Sequence, residues 1–196
     1  MYKPVEDPPS GDHYLYGIVN LMLIAVLFAL VFVLLATSSA SAHLNDYGDS
    51  ARKRKIDYRD VQPYDGARRQ AVRAWNNSNI RGKVLIRPRG KRNVNLELYI
   101  YDVYQENGYA GYWYGGPRVA FPHKIRLNRY WFSRYNNRQR VATVTHEVGH
   151  AVRLDHPPST RYWKGRSIMY YCPACAKPSG PQRHDRRDYN RIWRAG

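Results

Sequence analysis

The chain has little cysteine, few acidic residues and no internal repeat. Only Cys172 and Cys175 are present among 196 residues, and a structural zinc ribbon would need a second pair. Asp and Glu number 15 against 32 Lys and Arg, which gives a formal net charge of +17. Without a repeat, nothing in the sequence predicts a repeat architecture. The length and the hydrophobic content of 43% leave room for one domain of ordinary size.

One long apolar run lies near the N-terminus, over residues 18–36. Ala40-Ser41-Ala42 follows it and fits the small-x-small pattern that signal peptidase cleaves. We therefore predict that residues 1–42 are an export signal and that the mature, secreted protein begins at His43. The alternative is an uncleaved membrane anchor through residues 18–36, because a run of this length can just span a bilayer. The basic cluster at 52–55 would then be cytoplasmic.

The positive charge belongs to the part of the chain after this signal. Residues 1–42 carry one Lys and three acidic residues, so the remaining chain has a net charge of +19. Such a charge favours anionic partners, such as a cell wall or a membrane surface, and its effect should fade with salt. Arg and Lys are interleaved with Tyr and Trp, as in a surface that stacks bases. We do not expect nucleic-acid binding, because aromatic residues at alternating strand positions usually pack.

The most informative pattern is the sequence HEVGH at residues 146–150, with His156 six residues later. Residues four apart lie on one face of a helix, so His146 and His150 can reach one ion. His156 would be the third ligand and would leave a fourth position for water, as a hydrolytic zinc site requires. Glu147 is placed to take a proton from a water molecule that the ion activates. The pattern predicts one catalytic Zn²⁺.

This spacing resembles that of the metzincin zinc peptidases, whose pattern H-E-x-x-H-x-x-G-x-x-H is followed by a turn that contains methionine. The corresponding turn here is Ser167-Ile168-Met169-Tyr170-Tyr171, with Met169 as its methionine. The M-x-Y sequence is similar to serralysins and astacins, whereas the short length is more like matrixins. The resemblance implies that Tyr171 supports the oxyanion in the transition state. The alternative is an aromatic ring packed beneath the site.

One position departs from the family pattern, because its glycine is Arg153 in this chain. That glycine ends the helix in a left-handed conformation, and another residue there costs on the order of 1 kcal/mol. Either Arg153 accepts the strain or the turn is built differently. The answer bears on whether His156 can reach the metal.

Hydrophobic spacing predicts strands at 55–59, 83–87, 95–104 and 124–128, and helices at 64–77, 137–153 and 185–194. This order resembles the metzincin catalytic domain from about residue 55 to the end. The resemblance implies an α+β fold with a twisted mixed sheet, an active-site helix and a small C-terminal subdomain that ends in a helix. Residues 43–54 are then a basic linker, and 55–196 form the zinc peptidase domain.

In that family the substrate adds a strand to the edge of the sheet, between the two subdomains. Residues 109–120 would by position supply this edge, and a mobile surface loop is the alternative. Cys172 and Cys175 most simply form a local disulfide in an exported protein, just after the methionine turn. Residues 43–55 contain no cysteine, which excludes the cysteine switch of the matrixins.

We therefore predict an exported zinc endopeptidase that acts on protein or peptide substrates, with Glu147 as the general base. Two other classes remain open: a non-catalytic binding module attached through its basic surface, and a zinc hydrolase of a non-peptide amide such as those of the cell wall. Glu147 argues against the first, because a scaffold has no need of a base. Substrate specificity is left open.

Overall fold

The structure is a computed structural model that describes residues 48–60, 65–77, 84–88, 96–116 and 120–193. The described residues belong to one compact unit. The predicted export signal at 1–42, with its cleavage site, lies outside them. No helix in the described part of the chain combines the length and the apolar character needed to cross a membrane.

Five strands form one mixed sheet, in the spatial order β2-β1-β3-β5-β4. Their bounds are Lys55–Asp60 (β1), Leu85–Pro88 (β2), Leu98–Val103 (β3), Gly111–Tyr114 (β4) and His123–Asn128 (β5). Strands β2, β1, β3 and β5 run parallel, and β4 pairs antiparallel with β5 at one edge. The four predicted strands are present, and the predicted edge segment 109–120 contains the short strand β4.

Four helices accompany the sheet: Asp65–Asn77 (α1), Arg129–Arg134 (α2), Asn137–Ala151 (α3) and Arg183–Ile192 (α4). Short 3₁₀ turns lie at Arg161–Trp163 and Pro173–Cys175. Helix α3 begins at the capping box of Asn136 and Gln139, whose side chains bond to each other's backbone N–H groups. The α+β class with a mixed sheet is therefore confirmed, and α2 is an additional helix that the spacing did not predict.

The core lies between one face of the sheet and the helices. Alternate residues of the central strands are fully buried, including Ile100 and Ile125, and they join Val144 and Val148 of α3 in a single cluster. Nine successive residues of α3, from Val141 to Gly149, are buried. A helix buried over so much of its length is fixed in position by packing, so the side chains that it carries are fixed as well.

Part of the predicted linker at 43–54 packs against the domain. Ser50 is fully buried, and its N–H donates to the carbonyl of Ala151 at 2.7 Å. Its hydroxyl accepts from the indole N–H of Trp113 at 2.9 Å and lies 3.1 Å from Nδ1 of His123. The chain is thus attached to both α3 and the sheet at residue 50, ahead of the first strand.

Helix α3 ends two residues earlier than predicted, in a left-handed turn. Arg153 has φ of +75°. Its N–H donates to the carbonyl of His150, and the N–H of Leu154 donates to that of Gly149, each at 2.9 Å. This is the Schellman pattern of hydrogen bonds that usually carries glycine at the position of Arg153. Of the two alternatives, Arg153 therefore accepts the left-handed conformation.

We predict that Arg153→Gly leaves the free energy of unfolding unchanged or raises it by up to about 1 kcal/mol. The relief of left-handed strain, about 1–2 kcal/mol, is partly offset by the greater freedom of glycine in the unfolded chain. Arg153→Ala is the matched control, because alanine also removes the side chain but keeps the Cβ that causes the strain. Urea denaturation measures both variants. A marked loss of stability in Arg153→Gly would show that the arginine side chain holds the turn.

Candidate metal centre

Three histidine side chains converge beside α3. His146 and His150 lie one turn apart on the helix, and His156 follows the left-handed turn. The Nε2 atom of His146 is 3.0 Å from that of His156 and 3.2 Å from that of His150, and the last two are 3.2 Å apart. In the described part of the chain this is the one group of three or more His, Cys, Asp or Glu that could hold a metal ion.

Two backbone carbonyls fix which ring nitrogen carries the hydrogen. Nδ1 of His146 lies 2.9 Å from the carbonyl oxygen of Ile168, and Nδ1 of His150 lies 2.9 Å from that of Leu154. A carbonyl oxygen only accepts, so each Nδ1 carries the hydrogen and each Nε2 presents a lone pair. These lone pairs face each other, and without a cation they would repel.

The spacing of the nitrogens fits a small divalent ion. Zinc–nitrogen bonds of about 2.0–2.1 Å in a tetrahedral site place the ligand atoms roughly 3.3 Å apart. The three separations here are 3.0–3.2 Å. A tetrahedral ion held by the three histidines would keep a fourth position for water.

The histidines are held in the neutral form that binds metals. Burial, together with the neighbouring His156, lowers the pKa of His150 to about 4. Burial also lowers the pKa of His146 well below its usual value and lowers the pKa of His156. Protons therefore compete little for these nitrogens near neutral pH.

The Glu147 carboxyl lies between α3 and the edge strand β4. It is buried, and it accepts a hydrogen bond from the backbone N–H of Trp113. Burial raises the pKa of Glu147 to about 8, although that hydrogen bond acts in the opposite direction. A Cβ at Gly111 would stand 2.8 Å from Cγ and Oε1 of Glu147. Glycine at 111 therefore lets β4 approach close enough to position the carboxyl.

Met169 lies fully buried against α3. A Cβ added at Gly149 would stand 2.3 Å from its sulfur, closer than any packed side chain allows. The glycine of the HEVGH sequence is therefore required by the methionine turn, which contacts the helix at Gly149, between the first two histidines. Sequence analysis predicted the turn but not this contact.

Asp185 of α4 holds the methionine turn in place and was not predicted. Its carboxylate accepts from the Ser167 hydroxyl and from the N–H groups of Ile168 at 2.8 Å and Gln182 at 2.7 Å. The Ser167 oxygen in turn accepts from the N–H of Met169. Because the carbonyl of Ile168 orients His146, Asp185 is linked to the metal centre through the backbone. Its place in the capping box of α4 is the signal that the sequence offers.

The three histidines and Glu147 open into a cleft of about 1220 Å³. Strand β4 runs along it, and seven of its lining residues are aromatic: Tyr109, Tyr112, Trp113, Tyr114, Trp131, Tyr135 and Tyr171. Tyr171 is 58% exposed and is not packed beneath the site. A disulfide joins Cys172 and Cys175, and Cys172 also lines the cleft.

Comparison with known proteins adds information on the fold alone. No family model matches the chain, and no curated protein matches it. Among solved structures, the chain is similar to one in "GM1 bound form of the ECX AB5 holotoxin", with a TM-score of 0.50 and 16% sequence identity. The similarity covers 79% of this chain and 87% of that chain. It agrees with the α+β class.

We predict that Asp185→Asn weakens metal binding by roughly 10- to 100-fold, the usual effect of removing a group that orients a ligand. The new amide N–H₂ would face backbone N–H groups, which loosens the turn that positions His146. Competition with a chelator measures the affinity. Gln182→Ala is the matched control, because it disturbs the same helix cap without touching the turn. Equal affinities in the two variants would contradict the proposed link.

Proposed function

We propose that the protein is an exported zinc-dependent endopeptidase of the metzincin type. The convergence of three Nε2 atoms within 3.0–3.2 Å, beside a buried carboxyl and an open cleft, carries the proposal. The HExxHxxxxxH spacing and the buried Met169 beneath the helix support it. His146, His150 and His156 would hold the ion.

Each residue of the site has its own role in the proposed reaction. A bound zinc ion supplies Lewis acidity, which polarises a carbonyl and lowers the pKa of water. In its carboxylate form, which a bound cation nearby would favour, Glu147 accepts the proton of the attacking water and passes it to the departing amine. The Trp113 N–H and the close approach at Gly111 hold the Glu147 carboxyl at the mouth of the cleft. Tyr171, exposed in the same cleft, donates its hydroxyl hydrogen to the oxyanion.

The substrate is an extended peptide that pairs with β4. Among the described strands this one is at the edge of the sheet, so one side of its backbone has no partner strand there. It also lines the cleft, where a peptide would add to the sheet and pass the histidines. No Lys or Arg of the described residues lines the cleft, although the chain has 32 of them. The aromatic lining therefore favours uncharged or apolar segments of the substrate.

We predict that Glu147→Gln abolishes most peptide cleavage and keeps the metal. The amide preserves the shape of the side chain but cannot accept the proton, so turnover should fall by about 10²–10⁴-fold. His156→Ala is the contrasting variant, because it should lose metal as well as activity. Metal analysis and a mixed peptide library measure both properties.

Three outcomes would contradict the peptidase proposal. Wild-type protein that binds zinc but cleaves no peptide in the library would favour a binding module. Cleavage of cell-wall amides instead of peptides would favour the non-peptide hydrolase. Equal zinc content in wild type and His156→Ala would refute the three-histidine site.

We predict that Tyr171→Phe lowers kcat by roughly 10-fold or more while KM changes little. The hydroxyl would act on the oxyanion, which exists in the transition state and not in the bound substrate. Tyr162→Phe is the control, because Tyr162 is equally exposed at 58% but does not line the cleft. Unchanged kinetics in Tyr171→Phe would leave Tyr171 as part of the cleft wall only.

A further inference from the structure

A second surface of the sheet carries basic side chains flanked by tyrosines on the neighbouring strands. Strands β3, β5 and β4 are neighbours, and residues paired in register point to the same side. One row across the strands is Tyr99, Lys124 and Tyr114, and the next is Tyr101, Arg126 and Tyr112. We call these six residues the tyrosine–base face. The alternate residues Ile100, Ile125 and Trp113 are buried in the core, so this face points away from it.

The charged groups of this face have no carboxylate partner. Lys124 and Arg126 are exposed, and in the described part of the chain neither makes an ion pair. No outward position of the three strands is acidic, and Asp102 of β3 points the other way, to the buried Arg68. Its two positive charges, in a chain whose net charge is +17, make the face complementary to an anionic ligand.

The tyrosines offer hydroxyl groups more than free ring faces. The rings of Tyr99 and Tyr101 contact each other with centroids 5.6 Å apart. The ring of Tyr112 is covered by Tyr109 at 6.2 Å and by the guanidinium of Arg126 at 5.3 Å. Within the described residues, none of the phenol hydroxyls of this face hydrogen-bonds to the protein. Each hydroxyl can therefore donate to and accept from a ligand.

We propose that the tyrosine–base face binds an anionic polysaccharide. Such a polymer presents many hydroxyl groups for the phenols and regularly spaced negative charges for Lys124 and Arg126. A single-stranded nucleic acid would match the charge, but it is held by stacking on open aromatic faces, and three of the four rings are already engaged. Tyr112 and Tyr114 also line the cleft, but Lys124, Arg126, Tyr99 and Tyr101 do not, so substitutions at these four positions test the proposal apart from the peptidase site.

The test measures binding of the full-length protein to polygalacturonate, a linear polymer with a carboxylate on each sugar, by affinity electrophoresis. Dextran serves as the neutral polymer and oligo(dT) as the nucleic acid. We expect binding to polygalacturonate that weakens with salt, no binding to dextran, and weaker binding to oligo(dT). Binding to oligo(dT) that is tighter than binding to polygalacturonate would overturn the proposal in favour of a nucleic acid.

Substitutions locate the binding on this face. Lys124→Gln with Arg126→Gln should raise the Kd for polygalacturonate by roughly tenfold, since each exposed ionic contact contributes only a modest part of the binding free energy. Arg73→Gln with Lys177→Gln removes the same charge from exposed positions elsewhere and should change the Kd less than threefold. Equal losses in the two pairs would show that net charge alone is responsible and would overturn the proposal.

A third variant tests the hydroxyl groups. Tyr99→Phe with Tyr101→Phe keeps both rings and should weaken binding to polygalacturonate severalfold while leaving binding to oligo(dT) unchanged. Thermal unfolding of every variant checks that the fold is kept. Unchanged affinity for polygalacturonate in this variant would show that the two hydroxyls do not contact the polymer. The preference for a polysaccharide would then be overturned.

Discussion

The rest of the site depends on one constraint, that three imidazole Nε2 atoms must be held within 3.0–3.2 Å of each other. Neutral imidazoles have no reason to adopt this arrangement by themselves. The carbonyls of Ile168 and Leu154 impose it by accepting the Nδ1–H of two rings. The first carbonyl is fixed by Asp185 through the methionine turn, and the second by the left-handed turn at Arg153. A cation among the three nitrogens would relieve the repulsion between their lone pairs, which is the physical basis of the proposed metal site.

Two glycines allow the surrounding elements to pack closely against α3. Gly149 admits the sulfur of Met169 from one side, and Gly111 admits the edge strand to Glu147 from the other. Since any Cβ at either position would meet a heavy atom at 2.8 Å or less, neither element could approach as it does with alanine there. Close packing against a buried helix therefore gives the site its rigidity.

The sequence predicted what is encoded locally. The histidines, Glu147 and the helix that carries them follow from spacing along one element, and the longer strands follow from alternation. Strand β4 has four residues in a stretch rich in glycine and tyrosine, too short for alternation to show. The role of Asp185 rests on its contact with the backbone N–H of Ile168, 17 residues away, whereas the sequence shows only that Asp185 stands at a capping-box position of α4. The packing of Ser50 against Trp113 is likewise a contact between distant segments.

Strand β4 joins the two surfaces that we assign to different ligands. Its backbone edge faces the cleft and holds Glu147 through Trp113, whose ring lies 6.4 Å from that of His150. Tyr112 and Tyr114 alternate with Trp113 and belong to both the cleft rim and the tyrosine–base face. A substitution in β4 would therefore disturb both surfaces at once. Strands β3 and β5 carry the two basic residues and the other two tyrosines of the face. These strands do not line the cleft, so only this part of the face is separate from it. A polymer held on the sheet would consequently lie against the edge at which a peptide is proposed to pair.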